Sequence, residues 1–404
     1  MKHFFAVIAA FLSLTVGARA EDAAARGRYL AILGDCAGCH TLPHGPAFAG
    51  GLSFSTPFGT IYSTNITPDR QTGIGGWSEE DFYRALHDGV AAGGKHLFPA
   101  LPYTYFTRIT RQDTRDLFAY VKTLTPVQRP PTPDKLLFPF NLRFGLIFWN
   151  WLYLDKMPPA LPANAGIAWT RGEYLVNGLG HCAACHTPKT ILFGDEKDKP
   201  LAGGLVDHWF ANNLTGGSTE GLGNWSQADV EKFLASGISR HATAIGSMAE
   251  KISSSTSRMT DADRDAIATY LKSLPPRAQM ISEAPRREQM ERGRAVFAAQ
   301  CERCHAVPGG APHPDQGTLA GYPNLAGDTL VMGRNPTTVL RIILEGGAAR
   351  ARPGLNPKPM PDFAKLDDGE IADAASYLRN AWGNSAPPVS ATAVYELRRA
   401  LAAH

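Results

Sequence analysis

The sequence has little net charge, few methionines and no apolar run long enough to be an obvious membrane span. Forty Lys and Arg residues stand against 37 Asp and Glu, which leaves a formal charge of +3. This balance favours neither nucleic acid nor another polyanion as a partner. The longer apolar runs are short or interrupted by charged and helix-breaking residues, so they predict no spanning helix. A chain of 404 residues is also longer than one hydrophobic core usually holds, which predicts several domains.

Cysteine is scarce, and none is left over for a structural disulfide. All six cysteines belong to three copies of the pattern Cys-x-x-Cys-His. Two thiols at this spacing can both bond the vinyl groups of one porphyrin, and the following imidazole is then placed to bind the iron. A redox-active dithiol or half of a zinc site would leave the histidine after each second cysteine unexplained. We therefore predict three covalently bound haem c groups, each held by two cysteines and one proximal histidine: Cys36, Cys39 and His40; Cys182, Cys185 and His186; Cys301, Cys304 and His305.

The first twenty residues have the pattern of an export signal. A charged start precedes an apolar run over 4–17 and a small-residue cleavage site, Ala18-Arg19-Ala20. A permanent anchor helix is the alternative, but the run is short for a bilayer span. Removal of residues 1–20 takes Lys2 and Arg19 with it and lowers the formal charge from +3 by two, to +1. Export agrees with the haem pattern, because c-type haem is attached on the periplasmic side of bacterial membranes.

An internal repeat divides the rest of the chain into three units. Each repeat begins with an Arg-Gly pair in a short helical segment, and each closes on an apolar-periodic helix that contains a tyrosine. An asparagine follows each haem pattern downstream, at Asn65, Asn213 and Asn324. The predicted fold is mainly α, with three tandem class I cytochrome c domains that carry one covalent haem each. The expected divisions are domain 1 at 21–125, a linker at 126–165, domain 2 at 166–275, a linker at 276–287, domain 3 at 288–384 and a tail at 385–404.

An aromatic stretch over 136–154 lies in the first linker. It is interrupted by Pro139, Arg143 and Asn150, so it is too polar to span a bilayer. One interpretation is a helix that packs across two domains. The other is a surface rich in Trp and Tyr that lies in the membrane interface or against a partner subunit.

A short amphipathic helix is predicted near the end of the chain. Val394, Leu397 and Leu401 are three and four residues apart, and arginines occupy the other side. Such a helix can lie on an anionic membrane surface, or it can dock on the protein. The sequence does not distinguish these two arrangements.

Taken together, these features resemble the triheme cytochrome c subunit of bacterial membrane-bound dehydrogenases, the group that includes alcohol, gluconate, sorbitol and fructose dehydrogenases. The resemblance rests on the three haem patterns, on Phe138-Pro139-Phe140-Asn141 with Trp149-Asn150, and on the segments 246–250 and 259–263. It implies a chain that performs no substrate chemistry. Electrons would come from a partner dehydrogenase subunit carrying PQQ or FAD and pass through the haems to ubiquinone. The protein would sit peripherally on the periplasmic face of the cytoplasmic membrane.

Methionine is the usual sixth ligand where a high potential is needed, because thioether sulfur favours the reduced iron. Spacing, loop context and the resemblance indicate Met248 for the second haem and Met360 for the third. Met360 lies between two prolines, which can stiffen the loop that presents it. Met259 is the rival in the second repeat, but it lies close to the closing helix and has little loop with which to reach the iron.

The first repeat departs from this pattern. No methionine occurs between Met1 and Met157, and Leu101 stands where the family segment usually has Met. Leucine cannot bind iron, so the first haem is five-coordinate or takes another ligand. His96 is the nearest histidine in sequence, with His87 and His44 behind it.

Two other functions fit part of this pattern. An open first haem could activate peroxide while the other two supply electrons, although such sites normally also have an acid-base group. Alternatively, the chain could relay electrons for a molybdenum hydroxylase or an aldehyde-oxidising complex. The identity of the partner dehydrogenase is not encoded in these motifs.

Overall fold

The computed structural model describes residues 21–157, 161–277, 283–305, 322–347 and 358–402. The predicted export signal and the middle of the second predicted linker lie outside these ranges. The described chain is mainly helical, as predicted, and its short strands were not predicted. It forms two compact units, the first containing residues up to Ala165 with Glu173–His181, and the second containing Gly166–Gly172 and Cys182–His404.

The first unit combines short helices with one small antiparallel sheet. Its strands, in the order β1-β2-β3, are β1 Ser53–Thr56, β2 Gly59–Tyr62 and β3 Lys135–Leu136. Strand β3 pairs with β2, so part of the segment that the sequence presents as a linker is built into this unit. The helices are α1 (21–33), α2 Cys36–His40, α3 Glu79–Asp88, α4 Tyr103–Phe106, α5 Arg111–Lys122 and α6 Gly145–Tyr153, with a 3-10 turn at Ala92–Gly94.

The second unit holds most of the remaining elements. Helix α7, Ile167–Tyr174, continues into a π-helical turn at Leu175–Leu179 that belongs to the first unit. Two strands, β4 Gly204–Val206 and β5 Trp209–Ala211, form an antiparallel pair. The helices after α7 are α8 Ala183–His186, α9 Gln227–Ser236, α10 Gly246–Ser254, α11 Asp261–Ser273, α12 Arg287–Gln300, α13 Glu302–His305, α14 Thr337–Glu345, α15 Asp368–Leu378 and α16 Ala391–Ala402, with a 3-10 turn at Thr256–Arg258.

The first and last helices of each repeat cross at a glycine, which explains the repeated Arg-Gly pair. A Cβ atom on this glycine would lie about 2 Å from a carbonyl oxygen of the closing helix, far inside van der Waals contact. The adjacent arginine forms an ion pair with an aspartate of the closing helix. The glycine and its facing carbonyl are Gly27 and Asp116, Gly172 and Ala266, and Gly293 and Asp373.

Replacing Gly293 by Ala should therefore destabilise the third repeat. The new methyl would lie 2.1 Å from the Asp373 oxygen, and overpacking of this kind costs about 1–3 kcal/mol. For a domain of roughly 100 residues we expect the melting temperature to fall by about 10 °C. Gly166→Ala is the matched control, because nothing lies within 4 Å of a Cβ there. Thermal circular dichroism measures the melting temperatures of the two variants. Equal melting temperatures would contradict this account of the helix crossing.

Helix α16 docks on the protein. Val394 and Leu397 are buried in the core of the third repeat, and Leu401 packs against the same cluster. Arg398 donates to Asp368 and to two main-chain carbonyls. Of the two arrangements that the sequence allowed, attachment of this apolar face to a membrane is therefore wrong, because the face is already covered by the core.

Helix α6 has one packed edge and one exposed edge. Asn150 accepts a hydrogen bond from the buried Tyr103 hydroxyl at 2.6 Å, and the rings of Tyr103 and Trp149 meet edge to face. On the other edge Phe148 and Trp151 are 68% and 83% exposed. Further large apolar side chains are exposed in the preceding loop: Leu137, Phe138, Phe140, Leu142 and Phe144. We call the exposed apolar side chains of residues 137–152 the aromatic surface. Among the described residues no helix is both long and apolar enough to cross a bilayer.

Candidate haem-binding sites

Each histidine of the three haem patterns has one ring nitrogen held by a main-chain carbonyl. His40 Nδ1 lies 2.7 Å from the Thr64 oxygen, and His186 Nδ1 lies 2.6 Å from the Asn212 oxygen. His305 Nδ1 lies 3.1 Å from the Pro323 oxygen. A carbonyl can only accept, so Nδ1 carries the proton and the Nε2 lone pair is left for a metal. All three imidazoles are therefore in the tautomer that a haem iron requires of a proximal ligand.

The repeated asparagines explain how these carbonyls are held. Each accepting carbonyl belongs to the residue immediately before Asn65, Asn213 or Asn324. The Asn65 and Asn213 side-chain oxygens each accept from the backbone N–H and the hydroxyl of the threonine two residues on, and Asn324 accepts from the corresponding N–H in the third repeat. These turns fix the chain direction at the carbonyl. The asparagines were visible in the sequence only as a repeat, and the geometry gives them a positioning role.

The protonation states agree with haem attachment. Burial lowers the pKa of His40, His186 and His305, so the neutral imidazole is favoured. Burial raises the pKa of the Cys182 thiol, and it raises that of Cys301 to about 11. A redox-active dithiol needs a lowered thiol pKa. The raised pKa values of the Cys182 and Cys301 thiols thus argue against a redox-active dithiol in the second and third patterns.

The structure also aligns the loops that follow the pattern in the first and second repeats. Helices α3 and α9 begin with the same capping box and end at a left-handed glycine, Gly89 and Gly237. In the first repeat Leu97 N–H donates to Gly89 at 2.7 Å, and in the second Ala244 N–H donates to Gly237 at 2.7 Å. Counting four residues onward from these matched amides leads to Leu101 in one repeat and to Met248 in the other. By this count Leu101 corresponds to Met248, although Leu101 precedes α4 and Met248 lies within α10.

The three methionines considered as ligands lie in different surroundings. Met248 is half-buried near the start of α10. Met360 is half-buried, packs against the core of the third repeat, and exchanges two backbone hydrogen bonds with Gly347. Met259 is buried, at 5% exposure. Met259 therefore lies in a buried position that suits packing, whereas Met248 and Met360 are only half-buried.

Histidines near the first haem pattern differ in what they contact. His87 is buried, stacks on Tyr83 and lies 3.3 Å from the Thr114 hydroxyl. His44 is exposed. His96 is half-buried, and among the described residues its Nδ1 is buried with no hydrogen-bond partner. Its backbone carbonyl accepts from Arg143 at 2.6 Å, which fixes the loop that leads to Leu101.

Comparisons with known proteins show the family to which the chain belongs. The protein-family model described as Cytochrome c matches residues 170–275 and 290–382. The gluconate 2-dehydrogenase cytochrome c subunit of Pantoea cypripedii is 36% identical, over 99% of this chain and 95% of that protein. The cytochrome c subunit of the quinone alcohol dehydrogenase of Gluconacetobacter polyoxogenes is 37% identical, over 92% and 83%. The fructose dehydrogenase cytochrome subunit of Gluconobacter japonicus is 36% identical, over 92% and 82%. The predicted resemblance is thus confirmed: the chain belongs to the family of cytochrome c subunits of bacterial dehydrogenases.

Proposed function

We propose that this chain is the electron-transfer subunit of a periplasmic, quinone-reducing dehydrogenase complex. It receives electrons from a partner catalytic subunit that carries PQQ or FAD and delivers them to ubiquinone through three covalently bound haems. Haem iron, when bound, supplies one-electron exchange between its ferric and ferrous forms. The chain itself performs no substrate chemistry. The observation that carries the proposal is the threefold arrangement in which a cysteine pair precedes a histidine whose Nδ1 is held by a carbonyl.

Each repeat contributes one haem site in this proposal. The first site uses Cys36, Cys39 and His40 in domain 1, 21–125. The other two take methionine as sixth ligand, Met248 in domain 2, 166–275, and Met360 in domain 3, 288–384. Thioether ligation sets their potentials high, which suits acceptors of electrons from a dehydrogenase. The half-buried positions of both methionines and the contact of Met360 with the core of the third repeat support this assignment.

The mature protein should carry three haem masses above that of its polypeptide. Every cysteine belongs to one of the three patterns. Removing the two cysteines of one pattern should therefore remove one haem and leave the other two attached. Intact-mass measurement of the protein from a host that attaches c-type haem tests this number. A Cys301→Ala, Cys304→Ala variant should show two haems. A wild-type mass with two haems or fewer would overturn the count.

The relay itself is tested by reconstitution with the partner. A membrane preparation lacking this chain should keep the partner's reduction of a soluble dye and lose its reduction of a ubiquinone analogue. Adding the mature chain should restore quinone reduction, whereas a His186→Ala variant should not. Identifying the subunit and cofactor that co-purify with the wild-type chain would name the electron donor. Quinone reduction that persists without the chain would exclude the proposed role.

A further inference from the structure

The hydroxyl of Thr338, in the third repeat, bonds the backbone of Phe210 in the second. The Phe210 N–H donates to the Thr338 hydroxyl oxygen at 2.7 Å, and that hydroxyl donates to the Phe210 carbonyl at 3.1 Å. Thr338 lies near the start of α14 and is buried, at 4% exposure. Both positions belong to the second compact unit. One side chain therefore satisfies both backbone groups of a residue about 130 positions away.

Phe210 is the middle residue of strand β5, whose end leads to the second haem site. Phe210 pairs with Leu205 of β4, and the Thr338 hydroxyl satisfies the backbone groups that Phe210 does not use in this ladder. Asn212, two residues after Phe210, accepts the hydrogen bond from His186 Nδ1 at 2.6 Å. The position of the proximal histidine thus depends on a strand end that the third repeat holds.

Further contacts between the second and third repeats hold the same region. A Cβ on Gly333 would lie 3.2 Å from the Asn212 side-chain oxygen, so these two segments of the chain approach each other closely. Arg334 donates to both carboxylate oxygens of Glu220, at 2.6 and 3.0 Å, and Glu220 is buried. The Arg341 guanidinium lies 4.3 Å from the ring centroid of Trp209 in β5. A bidentate ion pair on a buried carboxylate and a cation-π contact both restrain this region.

In the first unit, a side chain of the same unit binds the corresponding backbone amide near the first haem pattern. Tyr62 ends strand β2, and its N–H donates to the Asp134 side chain at 3.1 Å. Thr64, again two residues on, accepts from His40 Nδ1 at 2.7 Å. In both cases a side-chain oxygen from outside the strand binds the amide two residues before the carbonyl that orients the proximal histidine. The recurrence of this spacing with different residues indicates a common positioning device.

We propose that Thr338 is a positioning residue for the second haem: it fixes the strand end whose Asn212 carbonyl orients His186. The proposal rests on haem attachment at Cys182 and Cys185. It means that the third repeat not only carries its own haem but also sets the reduction potential of its neighbour. Asp134 performs the equivalent task for the first haem.

The sign of the effect follows from the chemistry of the proximal ligand. A hydrogen bond from Nδ1–H to a carbonyl increases the basicity of the imidazole. A more basic ligand stabilises the ferric form and lowers the reduction potential. Loss of the Thr338 hydroxyl leaves two backbone groups of Phe210 without their partner, which frees the strand end and weakens the His186 hydrogen bond. The potential of the second haem should therefore rise.

The test is a redox titration of the full mature chain with Thr338→Val, which keeps the side-chain shape and removes the hydroxyl. One of the three potentials should rise, by the order of a tenfold change in the reduced-to-oxidised ratio, which is about 59 mV for one electron. Thr338→Ser keeps the hydroxyl and should return the wild-type value. Thr337→Val, next to it in α14, is the matched control and should change none of the three.

The shifted haem is assigned by nuclear Overhauser contacts between its substituents and the side chains of Cys182 and Cys185. Asp134→Ala should shift a different haem, the one bonded to Cys36 and Cys39. A shift of the third haem alone, an equal shift of all three, or no shift in a Thr338→Val protein that carries three haems would overturn the proposal. A protein without haem at Cys182 would instead contradict the proposed function, so the two failures are distinguishable by mass.

Discussion

Leu101→Met should raise the reduction potential of one haem and remove its ability to bind carbon monoxide. Leu101 and Met248 each lie four residues after the matched amides of Leu97 and Ala244, and we propose that both positions face a haem iron. Leucine offers no lone pair, so the wild-type haem is expected to be five-coordinate and to bind carbon monoxide. Axial ligation covers about 0.8 V in haem proteins, and a new thioether ligand should raise one potential by roughly 0.1 V or more. Spectra of the carbon monoxide adduct and a redox titration measure both effects.

The reciprocal change, Met248→Leu, is the matched control for Leu101→Met. It should open the second haem to carbon monoxide and lower its potential, because the two residues occupy equivalent positions after α3 and α9. His96→Ala is the second control. It should leave carbon monoxide binding unchanged, since His96 is expected to be no ligand. If the wild type binds no carbon monoxide and His96→Ala does, His96 is the sixth ligand and the expectation for Leu101 is wrong.

The attachment chemistry could be predicted from the sequence because it is local. Two cysteines and a histidine within five residues define the site whatever surrounds them, and the Arg-Gly pairs indicated the crossing helices. The carbonyls that hold the histidines could not be identified, because Thr64, Asn212 and Pro323 share no side-chain chemistry and act through the backbone. Their only signal was the asparagine that follows each one.

Contacts between distant segments could not be predicted from the sequence, for a different reason. Strand β3 has only two residues, too few for an alternating pattern, and proline-rich sequence around it predicted a linker. The C-terminal helix has an apolar face that suits a membrane and a protein core equally well, and only the structure shows Val394 and Leu397 inside the core. Thr338 carries no motif at all. The role of such a residue can be recognised only when the structure shows which backbone groups it hydrogen-bonds.

Phe148→Glu with Trp151→Glu should release the mature chain from lipid vesicles. Both side chains are exposed on α6 and belong to the aromatic surface, in which nine large apolar side chains are exposed within one segment of the chain. We expect this surface to lie in the membrane interface, where Trp and other aromatic rings are favoured. Burying each ring contributes about 1.5–3 kcal/mol, so losing both should weaken binding by roughly 100-fold or more. Flotation with phosphatidylethanolamine and phosphatidylglycerol vesicles measures the bound fraction.

The matched control for this double change is Ile191→Glu with Leu192→Glu. These residues are also exposed, Ile191 at 92%, but they lie in a loop of the second unit away from α6 in sequence. The control should keep vesicle binding, because it adds the same two charges without touching the aromatic surface. Trp149 is left intact in both proteins, since its ring packs on Tyr103 and its loss would disturb the fold. If both double variants float like the wild type, the surface is not a membrane contact. If the wild type itself fails to float while only the α6 variant loses the partner dehydrogenase, the aromatic surface binds that subunit instead of lipid.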